Sequence, residues 1–126
     1  MKIYGIGSDI ISNIRIKKSL KNKKFLKRIF TMEEIKKGST LKNKFMYFSK
    51  RFAAKEAFVK ALGTGFRDNI NFNSISILND KKGKPYIKFE KSLNKKIKLL
   101  TKRKKLNVFL SLADEKDYSL AFVIIQ

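Results

Sequence analysis

The longest periodic segment of this chain, residues 41–62, predicts a single amphipathic helix, against which the rest of the molecule must pack. At 100° per residue, Phe45, Phe48, Phe52, Val59 and Leu62 fall on one stripe. Gly63, followed by Thr64 and Gly65, suits the left-handed position that ends such a helix. Glu56 stands inside the apolar stripe, between Phe52 and Val59. A carboxylate there is costly unless something positive neutralises it. One account is a structural pair with Lys60, one turn on, or with another buried base; the other is a ligand or catalytic role.

The flanking segments mix both kinds of regular structure. Residues 2–11, rich in Ile and alternating, predict a strand, and residues 13–22 and 23–30 predict two short basic helices. Thr31 through Glu34 is a capping box opening a brief helix that ends near Gly38. Residues 71–78, a turn at 79–83 and Pro85–Phe89 predict a hairpin. Residues 92–105 predict a basic amphipathic helix with Leu93, Ile97 and Leu100 on its stripe, and residues 107–113 and 118–125 predict two more strands. The fold class is therefore α+β, an antiparallel sheet packed against the long helix. With no repeat, linker or boundary, residues 1–126 read as a single domain, long enough to bury a real core.

On the first strand, alternation puts Gly5, Gly7 and Asp9 on one face and Tyr4, Ile6 and Ser8 on the other. Two glycines weaken a strand and leave volume beside Asp9 that a helix, a metal or a ligand can enter. Close backbone packing on the long helix, with Asp9 as a strand-end residue, is the bland alternative.

Composition narrows the chemistry. The chain has no His and no Cys, which excludes disulfides, thiolate catalysis, imidazole ligands and histidine dyads. Acid–base or metal chemistry must draw mainly on ten Asp and Glu residues. Asp9 and Glu56 lie on apolar elements that must meet. Two carboxylates with water and phosphate oxygens describe a Mg²⁺ site. Arg51, Lys55 and Lys60 can supply phosphate contacts. The amides of the Gly63–Gly65 turn can also face a phosphate, though helix termination accounts for that turn, and the 80–85 segment reads as a plain hairpin turn with solvated charge. Neither matches the Walker or dinucleotide patterns.

The 31 Lys and Arg give a net charge of +21. AT-rich coding explains surplus Lys but not scarce acids, so a polyanionic partner is expected: nucleic acid, an anionic membrane, an acidic protein or a phosphate-rich cofactor. No targeting segment is visible and no apolar run reaches the roughly 18 residues of a membrane span, so the expected location is the cytoplasm.

Three blocks then converge. Gly5 through Ile10 (GIGSDI), Arg51 through Ala57 (RFAAKEA) and Lys60 through Gly65 (KALGTG) resemble, in order and spacing, the signatures of the bacterial 4′-phosphopantetheinyl transferase family, the holo-acyl-carrier-protein synthases. Gly83-Lys84-Pro85 and the closing Leu112 to Ile125 are similar to it too, so the likeness runs from about Ile3 to Ile125. The resemblance implies a homotrimer with each site between two subunits and Mg²⁺ held by Asp9 and Glu56. It implies coenzyme A as donor, apo-acyl carrier protein as acidic acceptor, and a place in fatty acid biosynthesis. By the same resemblance Glu56 and Lys60 are catalytic, and Arg51, Lys60, Gly63, Thr64, Gly65, Lys84 and Pro85 surround the coenzyme. Arg15, Lys18, Lys21 and Arg28 match the carrier-docking element. One departure is plain: Phe109 occupies a place where many relatives carry His. The competing readings are a basic RNA-binding module, and a structural subunit or inactive homologue, which Phe109 keeps open. No RNP1-type or GXXG motif supports the first. No nucleic acid or membrane partner is expected.

Overall fold

The computed structural model describes residues 2–67 and 69–126. In chain order it contains β1 (Gly5–Ser12), α1 (Asn13–Ser19), α2 (Lys23–Ile29), α3 (Met32–Gly38), α4 (Lys44–Leu62), a 3₁₀ turn (Phe72–Ser74), β2 (Ile75–Asn79), β3 (Pro85–Phe89), α5 (Lys91–Thr101), β4 (Val108–Asp114) and β5 (Tyr118–Ile125). The expected elements are present with their ends shifted by a few residues. The 3₁₀ turn takes the start of the expected strand at 71–78, and α5 stops at Thr101, where Lys102 turns left-handed at φ 54°. The capping box of α3 is formed: the Thr31 hydroxyl accepts from the Glu34 amide, and Glu34 accepts from the Thr31 amide at 2.9 Å.

The strands form two antiparallel sheets, not one. The larger has the order β1-β5-β4 and the smaller is the β2-β3 hairpin. Helix α4 is buried on most of its circumference. Phe45 and Phe52, expected on the apolar stripe, are only half-buried, whereas Ala53, Ala54, Ala57 and Ala61 are buried. Small residues let neighbouring backbones approach from several sides, so α4 is a central rod and not a surface helix with one wet face.

Strand β1 exploits that closeness. A Cβ on Gly5 would sit 1.9 Å from the Ala61 carbonyl oxygen, and one on Gly7 1.9 Å from that of Ala57. The glycines exist because helix backbone fills the volume beside them, so the bland reading of these two residues is correct. Gly7→Ala should cost about 1–3 kcal/mol or prevent folding, since only backbone movement relieves the clash; a melting temperature equal to that of the parent protein would contradict the packing.

The other face of the larger sheet is apolar and bare. Ile6 and Ile10 are each 62% exposed, and Phe109, Leu120 and Phe122 on the same face are also exposed. On α5, Leu93, Ile97 and Thr101 face the core. Leu100, expected on that stripe, is instead exposed, because Thr101 takes the buried place one residue on. Among the described residues, no helix is long and apolar enough to cross a membrane.

Candidate active site

The crossing of β1 over α4 brings the candidate residues together. Two strand residues advance about 6.7 Å and four helical residues about 6 Å. Gly5 lies on Ala61 and Gly7 on Ala57, so each step of two along β1 matches a step of four back along α4. The next inward position on β1 is Asp9, which comes within reach of the Lys60 side chain and close enough to Glu56 for its charge to be felt there.

Lys60 closes this arrangement. Its Nζ donates to the Ser8 carbonyl at 3.0 Å and to Asp9 Oδ1 at 3.1 Å. The structural pair considered for Glu56 is thus absent among the described residues: Lys60 turns to Asp9 instead. Glu56 is half-buried, and its carboxyl is pushed above the ordinary value, first by burial and then by the Asp9 charge, with Lys60 opposing both. Both carboxylates feel the one Lys60 ammonium, which is paired with Asp9. No cluster of three metal-ligating side chains occurs among the described residues. The donor set is two carboxylates, which fits a hard divalent ion that retains much of its hydration.

The other basic residues of the RFAAKEA block are engaged elsewhere. Lys55 is fully buried, and it is a correction to the expectation of a phosphate contact. Its Nζ donates to Glu34 Oε1 at 2.6 Å and to the carbonyls of Ile29 at 2.7 Å and Phe72 at 3.0 Å. All three donors are used and the head is sealed from solvent. Arg51 is also buried. Its guanidinium donates to the Ile77 carbonyl at 3.3 Å and to the Asn79 side chain, and it stacks 3.8 Å from the Tyr47 ring centroid. Burial lowers its pKa. Arg51 thereby anchors the hairpin whose turn carries Lys84 and Pro85. In that turn Asp80 Oδ1 accepts from the amides of Lys82 and Lys84 at 2.8 and 2.9 Å, and Gly83 takes φ 85°. Lys84 itself is exposed.

The Gly63–Gly65 turn is corrected in part. Gly63 has φ 81°, as expected of a left-handed cap. Its amide donates to Val59 and Lys60, and that of Gly65 donates to Val59. Both amides are consumed in ending the helix and are not free to face a phosphate. The Thr64 hydroxyl donates to the Gly65 carbonyl at 2.8 Å.

Arg15 and Lys18 are exposed on α1, Lys21 on the turn after it and Arg28 on α2. The orientation of α1 is set by a residue the sequence did not single out. Asn13 is buried, donates its side-chain amide to the carbonyls of Glu115 and Lys116 at 2.9 and 3.1 Å, and accepts from the Ser119 hydroxyl at 2.7 Å. Its only sequence signal is its place directly after a strand. Ile14, 59% exposed beside Arg15, was also missed. Phe109 lies on the bare face of the larger sheet, opposite Ile124.

A family model described as the 4′-phosphopantetheinyl transferase superfamily matches residues 5–123. A holo-[acyl-carrier-protein] synthase of Pelagibacter ubique is 54% identical over 126 residues, covering 100% of this chain and 98% of the relative. The crystal structure of a holo-[acyl-carrier-protein] synthase from Neisseria meningitidis superposes with TM-score 0.90 at 41% identity, covering 99% of each chain. That of a holo-(acyl-carrier-protein) synthase from Bacillus anthracis in complex with CoA (3′,5′-ADP) superposes with TM-score 0.81 at 35% identity, covering 98% of this chain and 96% of the other.

Proposed function

This chain belongs to the 4′-phosphopantetheinyl transferase superfamily, and on that footing we propose that it transfers 4′-phosphopantetheine from coenzyme A to a serine of an apo-acyl carrier protein, within fatty acid biosynthesis. The observation that carries the reading is the meeting of Asp9, Glu56 and Lys60 where β1 crosses α4. The Bacillus anthracis relative, solved with CoA (3′,5′-ADP), supports the donor.

Asp9 and Glu56 are the residues that would hold Mg²⁺, and that ion, when bound, supplies positive charge to a diphosphate. Lys60 adds an ammonium whose side chain is about half exposed, so its head faces the approach to the site. Exposed Lys84 on the hairpin, with Pro85 behind it, provides a second cation for the coenzyme phosphates. Arg51 serves that contact through the hairpin it anchors, and Gly63, Thr64 and Gly65 through the shape of the turn. The acceptor serine oxygen attacks the phosphorus bearing pantetheine, the bond to the bridging oxygen breaks, and adenosine 3′,5′-bisphosphate leaves. Glu56 accepts the serine proton. Positioning and charge neutralisation do most of the work.

The test is direct. Incubate the protein with Mg²⁺, coenzyme A and an apo carrier, and weigh the carrier by mass spectrometry. A phosphopantetheine-sized gain on one serine is expected; an unmodified carrier overturns the assignment.

The carrier is taken to dock on α1. Arg15→Glu with Lys18→Glu should raise KM for the carrier about tenfold while leaving coenzyme A binding unchanged, and added salt should mimic the effect. Equal damage to both substrates would place these residues elsewhere. The bare sheet face supports the homotrimer, since an apolar patch of this kind marks an interaction surface. Phe122→Lys is expected to shift the sedimenting species from trimer to monomer. A parent protein that sediments as a monomer would remove this part of the reading.

A further inference from the structure

Helix α5 and the turn after it carry a surface that the transfer reaction does not use. Every charged side chain between residues 91 and 105 is basic. Leu99 is 79% exposed, on the side away from buried Leu93 and Ile97, whereas Leu100, next to Leu93 around the helix, is 39% exposed at the edge of the buried stripe. Leu99 lines a shallow depression with Lys95, Lys98, Arg103 and Lys104. Among the described residues, Lys95, Lys98 and Lys104 make no ion pair. Arg103 donates to the Lys2 carbonyl at 2.9 Å and lies 5.4 Å from the Tyr4 ring centroid.

Cations near a helix C-terminus complement its dipole. That accounts for part of the charge but not for a bare leucine in its midst. A helix with an exposed leucine among ammonium groups suits the boundary of an anionic bilayer, where the leucine reaches acyl chains and the lysines meet headgroups. Nucleic acid would match the charge, yet the depression offers no aromatic face on which a base could stack. We propose that this α5 face is a peripheral docking surface for an anionic phospholipid membrane. This departs from the expectation of no membrane partner.

Flotation with vesicles tests it. Binding to vesicles of about 30% phosphatidylglycerol in phosphatidylcholine should exceed binding to pure phosphatidylcholine by about tenfold at low salt, and should fall away near 0.5 M, roughly, as screening shortens. Leu99→Ser should lower anionic binding about tenfold, as should Lys95→Gln with Lys98→Gln and Lys104→Gln. Both variants should keep the parent's circular dichroism and its transfer rate to a soluble carrier. Equal binding to the two vesicle types, or none, overturns the proposal. So does a Leu99→Ser protein that binds as the parent does, which would reduce the surface to bare charge. Binding of single-stranded RNA that is lost in the triple-Gln variant, with vesicles ignored, would assign the face to nucleic acid.

Discussion

Replacing Glu56 with Gln, or Asp9 with Asn, should lower transfer by about 10²–10³-fold or more while leaving a folded protein. Each change keeps the shape of the side chain and removes one negative oxygen donor from the β1–α4 crossing. The stability result is as informative as the rate. The folded protein raises the proton affinity of Glu56, chiefly by burial and next by the neighbouring Asp9 charge. An acid whose folded pKa lies above its unfolded value binds more protons folded than unfolded between the two. Stability therefore falls as pH rises through that window, and above it the charged Glu56 is a net burden on the fold. Glu56→Gln should accordingly melt no lower than the parent at pH 7 or so, and the difference should vanish below the ordinary carboxylate range of about 4. Thermal melts across pH and a mass-spectrometric rate assay read both effects. Near-normal turnover in either variant with Mg²⁺ present would remove the carboxylate pair from the mechanism.

The second large effect concerns Lys55, one residue before Glu56 in the chain. Lys55→Met should destabilise the protein by about 3–5 kcal/mol, because it leaves the Glu34 carboxylate buried and unpaired. For a chain of this size that lowers the melting temperature by about 10 °C or more. Glu34 also accepts from the Ile77 amide at 3.0 Å, so the loss spreads from α4 to α3 and β2. Adding Glu34→Gln should recover part of the loss, since the orphaned charge is gone, and a double-mutant cycle measures that coupling. Burial lowers the Lys55 pKa, with Glu34 opposing. Lys60→Met is the contrast: its pair with Asp9 is partly solvated, so stability should change little while transfer falls. If Lys55→Met melts with the parent, the sealed ion pair does not hold these elements together.

These two lysines show where sequence reasoning reached and where it stopped. They stand in neighbouring recognisable blocks and both were candidates for phosphate. Periodicity places each on α4 but does not say what lies against its tip. Glu34 was legible as the second half of a capping box; that the same Oε1 would also receive Lys55, and Oε2 a strand amide, depends on how α3 folds onto α4. Asn13 was invisible for a similar reason, since its partners lie in the β4–β5 turn at the far end of the chain.

The order of local patterns carried the element list, the α+β class, the left-handed Gly63 cap and the candidacy of Asp9 and Glu56, because alternation, helical period and turn chemistry act over a few neighbouring residues. Which surface each element would offer was settled only by assembly. The glycines of β1 could be read as space for a ligand or for a helix until α4 filled it. Lys60 could pair with Glu56 or Asp9 until the crossing put Asp9 within 3.1 Å. The α5 stripe could end at Leu100 or Thr101 until the core accepted the latter. Each outcome is a competition among contacts between residues far apart in the chain, and burial and charge pairing resolve such a competition only when all the partners are in place.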